Sequence, residues 1–229
     1  MKRLSGLLAV LAFGAIFVGL ITGYGERQSV SDLAVYYLTQ VPADLGAPNV
    51  VTGILISYRG FDTLGEVAVL FMVAASVGVL LAGEPGGKTV SQPTSPQAPS
   101  ELVRNGAEVV LPLIFLFGAY VIMNGHLSAG GGFQGGAVVA SGVMLLMLAY
   151  PKGPLHHGFL SITESLAGVV YVSIGIAGMV FGAGFLDSHI LPRGEFGTLF
   201  SAGAIPVISA LLGIKVGAEL SVIIDRFRS

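Results

Sequence analysis

Six apolar runs decide what this chain can become, because each has the length of a bilayer crossing. They cover residues 4–24, 64–82, 107–123, 134–150, 159–186 and 198–224. A helix needs about 20 apolar residues to span the hydrocarbon. Inside it, every backbone N–H and C=O must be satisfied within the protein, as a helix does. Only 10% of the residues are charged, against roughly 25% in a soluble domain. The sequence predicts an all-α integral membrane protein with about six transmembrane helices.

Residues 83–100 read GEPGGKTVSQPTSPQAPS. Such a stretch has almost nothing apolar to bury and reads as a linker. It divides the chain into residues 1–82, with two spans, and residues 101–229, with four. The first run follows Lys2 and Arg3 and is longer than the apolar core of a signal peptide, so it reads as a retained span. Residues 32–41 predict a short helix before Pro42, and residues 49–58 are apolar but too short to cross. With the N-terminus in the cytoplasm, Lys2, Arg3, Lys88, Arg104, Lys152, Arg226 and Arg228 fall inside, and Arg27, Arg59 and Arg193 outside. That bias predicts a multi-pass protein of the cell membrane with both termini cytoplasmic.

The chemistry-bearing residues gather at two places. The first is Arg59-Gly60-Phe61-Asp62-Thr63-Leu64-Gly65-Glu66, at the mouth of the second run. Thr63 and Glu66 have capping-box spacing, which would make the carboxylate a helix-start device. The alternative is that Asp62 and Glu66 line part of a cation route, since a carboxylate at that depth needs a partner or a watery path. The second place is the last run, where Lys215 and Glu219 lie four apart on one helix face. Glu164, at a similar depth, is the expected third member. The three charges are either a structural lock or a group that hands on protons or responds to a cation. Glu108 is a further carboxylate near a span end.

Between the third and fourth spans stands His126-Leu127-Ser128-Ala129-Gly130-Gly131-Gly132-Phe133-Gln134-Gly135-Gly136. Its formal GxGxxG match is no dinucleotide site, because no strand precedes it. It reads as a tight turn in which glycine permits positive φ and close helix contact. His126 reads as a hydrogen-bonded loop residue, with a proton-relay role open. Gly178 and Gly182, and Gly213 and Gly217, have the spacing that lets helix backbones approach, and Pro206 should kink the last helix.

Composition excludes other classes. With no Cys, disulfides, iron–sulfur clusters and thiolate metal sites are ruled out within the chain. The four His residues lack the spacing of a haem or zinc site, so no cofactor is expected. A formal net charge of −2 predicts no nucleic-acid partner.

Asn49-Val50-Val51-Thr52, followed by the segment Arg59 to Glu66, resembles the C-terminal region of the A subunit of Mrp-type multisubunit sodium/proton antiporters. The stretch His126 to Gly136, with its flanking helices, resembles the B subunit of the same systems, the MnhB family. The usual B-subunit loop has Pro between Ser and the glycines, where this chain has Ala129. Together the resemblances cover residues 30–82 and 101–225. They imply a non-catalytic membrane subunit that contributes to sodium translocation, with Na⁺ held or passed near Asp62 and Glu66, whose oxygens suit a hard cation. Its expected partners are other Mrp-like subunits, the lipid bilayer, and Na⁺ and H⁺. A free-standing A-like region joined to a B-like one is similar to modules of membrane-bound hydrogenases, sulfane sulfur reductases and formate hydrogenlyases. There an Mrp-like membrane arm is coupled to a redox peripheral arm, and the family implies no redox centre in this subunit. Two rival readings are a purely structural scaffold and a stand-alone small cation transporter.

Overall fold

A computed structural model describes residues 2–25, 29–81, 99–151 and 157–228, and every regular element among them is helical. They are α1 (Lys2–Gly23), α2 (Asp32–Leu45), α3 (Val50–Gly53), α4 (Gly60–Leu81), α5 (Glu101–Met123), α6 (Gly132–Ala149), α7 (His157–Phe181) and α8 (Ile205–Arg228). A π-helical turn, Ile54–Tyr58, joins α3 to α4, and a 3₁₀ turn, Ser188–Ile190, lies between α7 and α8. Six helices, α1 and α4 to α8, are long and apolar enough to cross a membrane. Of the predicted linker, only Pro99 and Ser100 fall within the described residues.

The chain forms two compact units, Met1–Tyr36 and Tyr37–Ser229. In the first, α1 is apolar on all sides and none of it is buried, the surface of a helix made for lipid. In the second, α8 is the axis, packing against α4, α5, α6 and α7. The packing does not itself display a two-plus-four grouping, since α4 lies against α8.

Glycine sets the closest contact. A Cβ at Gly136 would stand 2.7 Å from the Gly213 carbonyl oxygen and 2.9 Å from the Val216 Cβ. Gly132 meets the Ser209 carbonyl in the same way. The α6 and α8 backbones therefore touch along a seam no larger residue could share. Of the two expected glycine pairs, Gly213 and Gly217 face other helices. Gly178 and Gly182 instead receive the chain that folds back after α7, at Gly184 and Asp187.

Several helix limits differ from expectation, each for a local reason. α4 begins at Gly60, so Thr63 is no N-cap. Its hydroxyl donates to the Leu55 carbonyl at 2.6 Å, which satisfies a backbone group of the π-helical turn, and the capping-box reading falls. α4 can start there because the chain after α7 lies close: a Cβ on Gly60 would stand 3.1 Å from that of Leu186. The Phe61 and Phe185 rings stack at 4.8 Å. α2 continues through Pro42 to Leu45. Pro42 falls in the third turn, and the helix regains a backbone bond at once, Gly46 N–H to Pro42 C=O. α7 stops at Phe181, short of residue 186, and α8 begins at Ile205, not at 198. Pro206 therefore lies in the first turn, where its missing N–H has no intrahelical acceptor to lose, and it does not kink α8.

Candidate functional site: two hollows and a buried charge triad

The segment before α4 is tied to the glycine loop by one side chain. Asn49 caps α3, its oxygen accepting from the Thr52 N–H. Its amide nitrogen donates to the Gly125 and Ser128 carbonyls, at 2.7 Å each. The Thr52 hydroxyl donates to the same Gly125 carbonyl at 2.8 Å, and the Asn49 N–H donates to the His126 carbonyl at 2.9 Å. These bonds fix the loop, in which Gly130 and Gly131 take φ of 149° and 156°, values that suit glycine alone.

Glu66 opens onto the result. It lines a hollow of about 420 Å³ with Thr52, Thr63, Gly131, Phe133 and Gln134. One wall comes from the α3–α4 segment and the other from the glycine loop. Hydroxyls and backbone groups therefore face a carboxylate across a space large enough for a cation and several waters. Val51, Leu55, Ile56, Gly130, Gly132 and Leu212 complete the lining. Gly135 and Gly136 lie beyond it, in the α5–α6 and α6–α8 contacts respectively.

Asp62, one turn earlier, faces elsewhere. It forms an exposed ion pair with Arg59 and lines a separate hollow of about 570 Å³ with Asp44, Tyr58, Asp187 and His189. Asp187 and His189 bond through Oδ1 and Nδ1 at 2.6 Å. That bond to Asp187 holds the His189 imidazole above its ordinary pKa, against the opposing pull of burial. For Asp187, burial pushes upward but is outweighed by the Ala183 and His189 N–H groups and the imidazole, so its pKa is lowered. His126 is fully buried. Burial lowers its pKa, and its Nε2 lies 3.3 Å from the Thr198 carbonyl. Since a carbonyl can only accept, Nε2 carries the proton of the neutral ring.

The second constellation is assembled as its spacing suggested. The Lys215 ammonium lies 3.2 Å from Glu164 Oε1 and 3.1 Å from Glu219 Oε2. It also stands 5.8 Å from the centre of the Phe71 ring. Lys215 is 6% exposed and Glu219 not at all. Only the contact to Glu164 has hydrogen-bond geometry, and neither Glu219 oxygen has a hydrogen-bond partner. Glu108 is absent from this group, accepting from the Tyr150 hydroxyl at 2.8 Å beside Arg104, which lies over the Tyr150 ring.

Sequence reasoning passed over Thr52, Tyr171 and Asp225. Tyr171 is 1% exposed with an unpartnered hydroxyl, and it lies within electrostatic reach of Glu66. Its signal was a phenol inside an otherwise apolar run. Among the described residues, no three His, Asp or Glu side chains converge as a metal site.

Comparison with known proteins places the chain. A domain related to the MnhB subunit of Na⁺/H⁺ antiporter matches residues 102–222, and the family of the MBH E subunit matches residues 1–96. An uncharacterized protein of Methanocaldococcus jannaschii, MJ1307, is 31% identical over 76% of this chain and 74% of its own length. In Rhizobium meliloti, the A/B subunit of a probable K⁺/H⁺ antiporter is 27% identical over 93% of this chain, which spans only 23% of that larger protein. Among solved structures, a chain of the membrane-bound sulfane sulfur reductase, an archaeal respiratory membrane complex, is 37% identical. It superposes with a TM-score of 0.78, covering 99% of this chain and 97% of that one. A chain of the Mrp complex from Dietzia sp. shares the fold, with a TM-score of 0.75 at 24% identity over 98% of this chain and 26% of that one.

Proposed function

From the premise that this chain belongs to the family of domains related to the MnhB subunit of Na⁺/H⁺ antiporters, we propose that it is a non-catalytic membrane subunit of an Mrp-like cation/proton antiport module. The module sits in the membrane arm of a respiratory complex, and the subunit carries part of the cation route. Other antiporter subunits surround it and a redox peripheral arm completes the assembly. It lies in the cell membrane with both termini in the cytoplasm, and residues 83–100 separate an A-like part from a B-like part.

One observation carries the reading. Among the described residues, the single carboxylate on the hollow between the A-like segment and the B-like loop is Glu66, and Asn49 and Thr52 lock those two segments together. A cation reaching this hollow would find oxygen ligands and a negative charge at Glu66. Asp62, paired with Arg59, would serve the same route from its own, separate hollow. The relatives' names differ over the cation, Na⁺ or K⁺, so both ions belong in the assay.

Glu66→Gln keeps the size and removes the charge. The variant complex is expected to assemble and to lose most cation-dependent proton exchange in reconstituted vesicles. Full exchange in an intact variant complex would leave Glu66 without a transport role and favour the scaffold reading, for which the glycine seam of α6 and α8 speaks. Cation movement by the isolated subunit would favour a stand-alone transporter.

A further inference from the structure

The buried triad carries an unbalanced charge. Glu164, Glu219 and Lys215 sum to −1 when all are ionised. Glu219 is wholly buried and lacks a hydrogen-bond donor to either oxygen, while Lys215 gives its hydrogen bond to Glu164. An ionised carboxylate in such a place is strongly disfavoured unless its charge is offset. Lys215, 3.1 Å from Glu219 Oε2 and 3.2 Å from Glu164 Oε1, balances one carboxylate and leaves the charge of the other over. α4 contributes Glu66, α7 contributes Glu164 and Tyr171, and α8 adds Asp225 and Arg226, whose guanidinium donates to the Ala74 carbonyl. α6 has no ionisable residue, and on α5 Arg104 and Glu108 are engaged with Tyr150.

Two hollows reach this triad, and they meet at Glu164. One, of about 480 Å³ between α4 and α7, is lined by Phe71, Glu164, Tyr171 and Lys215. The other, of about 540 Å³, is lined by Phe71, Ser161, Glu164, Asp225 and Arg226. Glu164 belongs to both. A water occupies about 30 Å³ of liquid, so each hollow has room for a short chain of them. The buried Tyr171 hydroxyl, without a partner, is a ready bridge toward Glu66.

We propose that the triad holds one exchangeable proton, resting on Glu219, and that the two hollows carry it between the C-terminal end of α8 and the Glu66 hollow. The inference rests on the antiport reading above. In the transfer, an O–H bond of a hydronium at Asp225 breaks as one forms on Glu164. Glu164 passes its proton to Glu219 through Lys215, which gives one N–H proton and regains another. On release Glu219 returns the proton through Lys215 to Glu164. The Glu164 O–H bond breaks as one forms on a water of the first hollow, and the Tyr171 hydroxyl takes a proton from that water as it gives its own toward Glu66. No electron moves.

The test is infrared difference spectroscopy on the whole complex, recorded with transport against pH. The wild-type complex is expected to show one buried protonated carboxyl, by a C=O band sensitive to H₂O/D₂O exchange. Glu219→Gln imitates the neutral, protonated carboxyl, so the complex assembles, the band disappears and the pH profile of exchange shifts. Tyr171→Phe keeps the band and slows exchange several-fold with the complex intact. Absence of the band from wild type, or its persistence in Glu219→Gln with an unmoved pH profile, overturns the proposal. Should Glu219→Gln not assemble, Glu219→Asp decides: a displaced band supports the assignment and an unchanged one defeats it. The band is read without transport, so loss of the Glu66 reading leaves it standing, and loss of the band leaves Glu66 untouched.

Discussion

His189 and His126 answer acid and base in opposite ways. The bond to Asp187 raises the folded-state pKa of His189 above 6.5, so its stabilisation is complete below 6.5 and lost as pH rises through the folded value. Burial lowers that of His126, so its neutral ring opposes unfolding less and less as pH falls from 6.5 toward the folded value. Asp187, lowered from 3.8, gives stability present above 3.8 and lost as pH falls through its folded value. Hydrogen exchange of residues 182–204 should therefore be slowest near neutrality and quicken on both sides. His189→Asn should remove the alkaline limb alone. Protection that is flat from pH 5 to pH 9 would refute this account.

Helix by helix, the seam between α6 and α8 makes the sharpest demand. Gly136→Ala puts a methyl 2.7 Å from a backbone oxygen that cannot move without its helix. Overpacking of this kind costs about 1–3 kcal/mol, and thermal unfolding in detergent should show it. Gly217→Ala meets its nearest neighbour at 3.4 Å and Gly106→Ala meets nothing, so both should unfold close to wild type. The spans were legible in the sequence because about 20 apolar residues have few other uses in a chain. Lys215 with Glu219 was legible from helical spacing, and Glu164 from depth. The start of α4 was not, since the bond from Thr63 to Leu55 and the approach of Leu186 to Gly60 are set by tertiary packing. Gly178 and Gly182 carry the same spacing as a helix-contact pair, and nothing local reveals that a returning loop fills their groove. Tyr171 was hidden for a related reason: a phenol among apolar residues looks like packing until its hydroxyl is seen to lack a partner.

Across the molecule, the A-like segment and the B-like loop meet at Asn49. Asn49→Asp replaces a donor to two carbonyls by a charge that repels them. The complex should lose stability by about 1–3 kcal/mol, the cost of freeing the Ser128 carbonyl and setting a charge against the Gly125 carbonyl. Exchange protection should fall in residues 49–58 and 124–132 together. Asn49→Ala should loosen both segments less, because it brings in no charge and the Gly125 carbonyl keeps the Thr52 hydroxyl. Loss of protection in one segment alone would show that the bonds do not couple them.

α8 touches α4, α5, α6 and α7, yet it follows all of them in the chain. Chains fold as they are made, N-terminal parts first. Until the ribosome delivers α8, the nascent protein exposes Glu164 without its lysine and α6 with its glycine groove empty. Association of this core therefore waits on α8 for its decisive step. A ribosome stalled just before α8 should leave α4 to α7 inserted but unassociated and open to degradation, and synthesis of about 30 further residues, the length of a helix and its lead-in, should protect all of them at once.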